Sequence, residues 1–268
     1  MEKNLKKNEP YKSTYEYYAK YRPNIPKEVI DIITSHFNVG LNDRILDLGC
    51  GTGKVTLTMD GKCKEMVCLD SDLKMIELAK KETKNSKPKI TWIVCNANDL
   101  KRDDKLGTFK IATICRAFHW MNQEKVLNNL NNLIDENGGI AIFSDNGLWS
   151  GQQEWQQMIK KITLKYLDSN KKERFKNPEK PWDNILINST FKFIKTYNVP
   201  TVREWDIDSI IGYIFSYSSS APYLFEDKID EFKKEVQNTL LSINPQGKFQ
   251  ENSIWSITLA SKKDSADF

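Results

Sequence analysis

Three glycines at alternate positions, Gly49, Gly51 and Gly53, follow the apolar run Ile45-Leu46-Asp47-Leu48. A short run this apolar reads as a buried parallel strand, and a helical pattern restarts at Lys54. Glycine at each position permits backbone angles closed to other residues and lets a ligand approach the main chain. The amides opening the next helix are then expected to face that ligand, with the helix dipole favouring a negative group. Two familiar loops fail against this spacing. A dinucleotide loop needs a small residue where Lys54 stands. A P-loop needs glycine in place of Leu48 and a hydroxyl in place of Val55. About twenty residues past the loop, where nucleotide sites of this architecture place an acid on the ribose hydroxyls, stands Asp70. An ionised carboxylate suits a vicinal diol, and Asp72 is free to cap the helix that follows.

What remains, D-x-G-x-G-x-G in the form LDLGCGTG from Leu46 to Gly53, resembles the first motif of class I S-adenosylmethionine (SAM)-dependent methyltransferases. The resemblance implies a SAM site holding Asp47, Gly49, Gly51 and Gly53, with S-adenosylhomocysteine (SAH) as product and no metal. LDSDLKMIELAKK from Leu69 is similar to the family's second segment, which adds Asp70 and Ser71. Asn96-Ala97-Asn98-Asp99-Leu100 resembles the turn that reads the adenine edge through its first residue and the following amide. Asn96 stands where that family has Asp, and an Asx turn is the plainer reading of the same residues. Arg116-Ala117-Phe118-His119-Trp120 is similar to the A-x-H-W of an aconitate-type small-molecule subgroup, and implies Arg116 at the cofactor. YAKYRPNIPKEVIDII from Tyr18 resembles that subgroup's Y-x-x-x-RP-x-YP segment, with Ile25 where the subgroup has Tyr, and implies that Tyr18 and Arg22 touch cofactor or substrate. WDIDSIIGYIFSYS from Trp205 resembles its pocket-lining segment. Trp120, Trp149, Tyr213 and Tyr217 are therefore expected at the substrate.

His119 is the candidate catalytic residue. A neutral imidazole, with an ordinary pKa of about 6.5, can take a proton from a hydroxyl or amine near neutrality. A carboxylate acceptor needs no base, and His119 would then only orient it. The other histidine, His36, sits beside Phe37 on a helical pattern and reads as structural. Methyl transfer from a sulfonium is an in-line displacement, in which the protein's part is alignment in a dry, aromatic-walled pocket. The expected function is methylation of a small-molecule acceptor at oxygen or nitrogen. A methyltransferase acting on RNA or protein is the alternative, and a non-catalytic SAM-binding protein the third reading. Neither a base-flipping N-P-P-Y loop nor a separate basic module stands in the sequence, so no nucleic-acid partner is expected.

The elements that must position these residues alternate strand and helix. Strands are predicted at 45–48, 66–69, 90–95, 111–115 and 140–143, separated by helical patterns. That order makes a parallel sheet with right-handed crossovers, and ligands of such sheets bind at the strand carboxyl ends. The alternating stretches 191–197 and 253–260 are predicted as an antiparallel hairpin. The expected fold is α/β: a Rossmann-like, seven-stranded, mostly parallel sheet with a small cap. It is read as one domain over 1–268, with a core at about 26–145, 188–200 and 250–262. The cap is read at about 10–25, 147–187 and 203–248. Pro26 is expected as a first helical residue, Gly40 as the end of that helix, and Gly138-Gly139 as the stop of a helix 123–135. Trp149–Leu167 reads as one long helix, residues 1–12 as a frayed polar end and 171–181 as a charged loop.

Composition narrows the classes. The 268 residues carry a net charge of +4 with a mean hydropathy of −0.58, and no apolar run reaches the roughly 18 residues of a membrane span. The lysines are spread along the chain, as on a solvated surface. Five cysteines without a C-x-x-C pair favour reduced thiols over disulfides or zinc. With no hydrophobic stretch at MEKNLKKNEP, the expectation is a cytoplasmic protein, monomer or homodimer, without a membrane partner.

Overall fold

The structure is a computed structural model, and it describes residues 13–100, 106–167 and 182–264. The polar N-terminus at 1–12 and the loop 171–181 read above lie outside those residues.

Seven strands form one sheet: β1 Arg44–Leu48, β2 Glu65–Asp70, β3 Lys89–Val94, β4 Phe109–Cys115, β5 Ile134–Asp145, β6 Phe193–Asp206 and β7 Lys248–Ser261. Their spatial order is β3-β2-β1-β4-β5-β7-β6. The pairs β1–β2, β1–β4, β2–β3 and β4–β5 are parallel, and β5–β7 is antiparallel. This is a Rossmann-like α/β fold. The strand order reverses between β1 and β4, the switch point at which such sheets open a crevice. Successive β1 side chains point to opposite faces, and both faces are covered. Ile45 joins Met66, Cys68 and Ile111 on one side, while Leu46 and Leu48 join Val67, Leu69 and Ile114 on the other. That double burial is why the strand reads as an unbroken apolar run.

Several boundaries differ from those expected. Pro26 is the N-cap of the helix Lys27–His36 rather than its first residue, and the left-handed residue behind that helix is Asn38 (φ 49°), not Gly40. Asparagine tolerates that conformation better than most residues, so it competes with glycine as a helix stop. Gly138 and Gly139 do not stop a helix; the helix Gln123–Asn131 ends earlier and both glycines lie inside β5. A Cβ on Gly139 would come 2.4 Å from Phe37 Cε1 and 2.5 Å from the Ala260 carbonyl, and one on Gly138 would sit 2.0 Å from the Lys110 carbonyl. Packing, not a turn, requires glycine there. The segment read as one long helix from Trp149 is a 3-10 turn, Leu148–Ser150, followed by the helix Glu154–Tyr166.

The chain divides into two compact units. One holds residues 24–145, 180–199 and 255–268, with the glycine loop and most of the sheet. The other holds 1–23, 146–179 and 200–254. Its core is aromatic, with Trp155, Tyr213, Phe215, Phe225 and Phe232 among its buried side chains. In it the helices Tyr15–Tyr21 and Ile207–Phe215 approach closely at Gly212, whose Cβ would lie 2.3 Å from the Tyr21 ring. Among the described residues no helix is long and apolar enough to cross a membrane.

Candidate functional site

The glycine loop leaves β1 with three left-handed residues, Gly49 (φ 66°), Gly51 (φ 54°) and Gly53 (φ 79°). Each position is closed to a side chain by conformation, and Gly49 also by space. Its Cβ would stand 2.6 Å from the Ala117 Cβ and 3.3 Å from Met121 Cε. Most amides of the loop itself are bonded within the protein, whereas those expected to face a ligand are the ones opening the helix Lys54–Thr58. Gly49 N and Cys50 N donate to the Leu69 carbonyl at 2.7 and 3.0 Å, and Gly53 N to the Cys50 carbonyl at 3.0 Å. Gly51 N donates to Asp70 Oδ2 at 2.9 Å. Buried amides need partners, and the end of β2 supplies them. Lacking side chains, the three glycines leave the loop backbone open to close approach.

Asp70 ends β2 and is tied down by backbone. Its Oδ1 accepts from Asp72 N at 2.9 Å while Oδ2 holds the loop. Each carboxylate oxygen can accept more than one hydrogen bond, so capacity remains for a diol. Burial raises its pKa above the ordinary carboxylate value, against the lowering by its bonds from Asp72 and Gly51. Asp72 caps the helix Leu73–Glu82, accepting from Lys74 N at 2.8 Å and Met75 N at 3.4 Å. Ser71 lies exposed between the two acids.

Asp47, expected at the ligand, is instead wholly buried within β1. Its Oδ1 accepts from Thr113 Oγ1 of β4 at 2.8 Å, and its Oδ2 has no hydrogen-bond partner among the described residues. Burial pushes its pKa up to about 7; the Thr113 bond opposes this and the Asp70 charge adds to it.

At the end of β3 the Asx turn expected as the plainer reading is formed, with Asn96 Oδ1 accepting from Asn98 N at 2.9 Å. Asn96 is exposed and Ala97 buried. Asn98 Oδ1 in turn accepts from Asn122 N at 2.8 Å, which joins this turn to the segment behind β4.

That segment is a 3-10 turn, Phe118–Trp120, anchored by buried Phe118 and leaving His119 and Trp120 exposed. Their rings lie 5.0 Å apart. Gly49, Asp70, Asn96 and His119 thus all follow carboxyl ends of parallel strands. Arg116, expected at the cofactor, directs its Nε to Asp145 Oδ1 at 2.9 Å, with the guanidinium 4.6 Å from the Trp255 ring centre. His36 packs edge-on against Phe37 at 4.6 Å, and burial lowers its pKa, with nearby Lys195 a smaller cause.

The other candidates cluster in the second unit. The Arg22 guanidinium lies 3.6 Å from the Tyr217 ring centre and 5.2 and 5.4 Å from those of Tyr18 and Tyr213. Tyr217 Oη donates to Tyr213 Oη at 2.8 Å and accepts from Leu148 N at 2.9 Å. Trp149, largely buried, is 5.5 Å from Tyr217. Tyr213 has no exposed surface and stacks on Trp205 at 4.9 Å, so it supports Tyr217 rather than presenting a wall. Sequence reasoning did not single out Thr113, Asp145 or Trp255. Each makes its contact across strands, and local spacing carries no signal for such pairs. Among the described residues no three His, Cys, Asp or Glu side chains gather as metal ligands.

The sequence comparisons point to methyltransferases. The family described as methyltransferase domain matches residues 45–138. A probable S-adenosylmethionine-dependent methyltransferase of Saccharomyces cerevisiae is 27% identical over 47% of this chain and 44% of its own length. A malonyl-[acyl-carrier protein] O-methyltransferase of Bacillus anthracis is 24% identical over 54% of this chain and 51% of its own. The match therefore spans about half the length of these curated relatives. Among solved structures, a Haemonchus contortus N-methyltransferase in complex with phosphomonomethylethanolamine and SAH has the same fold. It superposes with a TM-score of 0.58 at 13% identity, over 97% of this chain and 59% of that one.

Proposed function

From the premise that this chain carries a class I SAM-dependent methyltransferase domain, we propose that it methylates a small-molecule acceptor at oxygen or nitrogen. One observation carries the reading: three left-handed glycines end β1 at the sheet's switch point, and Asp70 is bonded back onto the middle one. The residues suit SAM, because the loop admits close approach and Asp70 retains acceptor capacity for a ribose diol. We assign the amino acid part to the Gly49–Gly53 loop, the ribose to Asp70 beside Ser71, and the adenine edge to Asn96 and the Ala97 amide. Bound SAM supplies an electrophilic methyl group on a sulfonium.

The chain's own residues do the rest. His119 accepts the proton of a hydroxyl or amine acceptor, or orients a carboxylate that needs no base. Trp120, with its exposed indole, and the cluster of Tyr18, Arg22, Trp149 and Tyr217 on Tyr213 select the acceptor. Aromatic walls with a few polar anchors suit a small organic molecule, and aromatic faces favour a neighbouring cation. Incubation with labelled SAM and separate pools of metabolites, tRNA and protein tests the reading. Label in the metabolite pool is the expected result. Label in tRNA or protein would overturn the acceptor class, and none in any pool would overturn the activity.

A further inference from the structure

Arg116 takes a left-handed conformation (φ 54°) at the end of β4. For a long side chain this is a strained state that persists only when its surroundings hold it. Here they do. Its amide donates to the Phe143 carbonyl at 3.0 Å, its Nε to Asp145 Oδ1 at 2.9 Å, and the pair is nearly enclosed, with side-chain exposures of 10% and 2%. Asp145 and Trp255 face each other across the β5–β7 ladder, so the carboxylate and the ring 4.6 Å from the guanidinium are presented together. A guanidinium offers a fixed, planar fork to the one while lying over the other, and an ammonium has neither fork nor plane.

The kink has a consequence one residue on. It carries Ala117 to within 2.6 Å of where a Gly49 Cβ would be, and Met121 Cε to within 3.3 Å. The turn is then closed by Trp120 N donating to the Ala117 carbonyl at 3.0 Å and Met121 N to the Phe118 carbonyl at 3.2 Å. His119 is presented from that turn. We propose that the Arg116–Asp145 pair, seated on Trp255, is a positioning device that holds the 116–121 turn against the glycine loop and sets the placement of His119. This rests on the reading that the glycine loop holds SAM.

The chain has two histidines, so its imidazole Cε1–H spectrum provides one probe at the turn and one, His36, on the helix Lys27–His36. Arg116→Lys keeps the charge but lacks the fork, and Asp145→Asn keeps an acceptor but lacks the charge. Both variants are compared with the wild-type chain by calorimetric titration with SAH and by this spectrum. We expect SAH affinity to fall about tenfold, within the range by which positions away from a ligand alter its binding. The His119 resonance should move while that of His36 stays. A lower melting temperature with unchanged SAH affinity and an unmoved His119 resonance would assign the pair to stability alone and overturn the proposal. Wild-type protein that binds no SAH would instead remove the cofactor reading, and this inference with it.

Discussion

Asp47 is a carboxylate enclosed in the middle of a sheet, and that has a measurable sign. Burial raises its pKa from 3.8 to about 7 in the folded chain. Between those values the native state holds a proton that the unfolded chain has released, so ligand-free stability falls as pH rises through this window and levels off above about 7. The upper bound of that loss is roughly 4 kcal/mol, at about 1.4 kcal/mol per tenfold change. Asp47→Asn removes the titration. Its stability relative to wild type, from urea unfolding at pH 5 and pH 8, should therefore improve at the higher pH. A difference independent of pH would show that Asp47 is ionised throughout. Residue spacing placed Asp47 on β1 but carried no sign of its enclosure. Both faces of β1 are buried, so the strand pattern does not distinguish a packed carboxylate from an open one. The role of Asp72 as the helix cap was legible and is formed.

Strands and helices were readable where periodicity was strong, as in β1, β2, β4 and the helix Leu73–Glu82. The failure at Gly138-Gly139 is instructive, because a glycine pair behind an amphipathic helix carries the same local signal as a helix stop. What decides against that is Phe37, one hundred residues earlier, needing the space where a Gly139 side chain would be. Gly139→Ala should accordingly destabilise the fold by about 1–3 kcal/mol, the usual cost of overpacking, as a lower denaturant midpoint. An unchanged midpoint would mean the strand yields there freely. By the same logic, Asp72→Ala should cost about 1 kcal/mol through the lost cap.

For the whole molecule, the sheet unit was legible because its order follows from alternating strand and helix. The segments of the aromatic unit were read as a cap, but its interior was not legible. Its polar interior depends on distant partners, such as buried Glu251, which accepts from Trp205 Nε1 at 3.0 Å and Gln156 Nε2 at 3.4 Å. No local pattern announces such a network. The assignment of acceptor choice to this unit predicts a separation of effects. Tyr217→Ala should weaken acceptor binding while leaving SAH affinity near that of wild type, measured once an acceptor emerges from the labelled pools. Equal loss of both, with a lowered melting temperature, would assign Tyr217 to the fold through its bonds to Tyr213 and Leu148.

The central claim is that the Gly49–Gly53 loop and Asp70 hold SAM, and calorimetric titration of the whole chain with SAM, SAH and NADH tests it most directly. One site per chain is expected for SAM and SAH and none for NADH. Asp70→Ala is also expected to weaken SAH by about 1.5–3 kcal/mol, as for hydrogen bonds to a charged group. Binding of NADH with none of SAH, or SAH affinity untouched by Asp70→Ala, would contradict the claim.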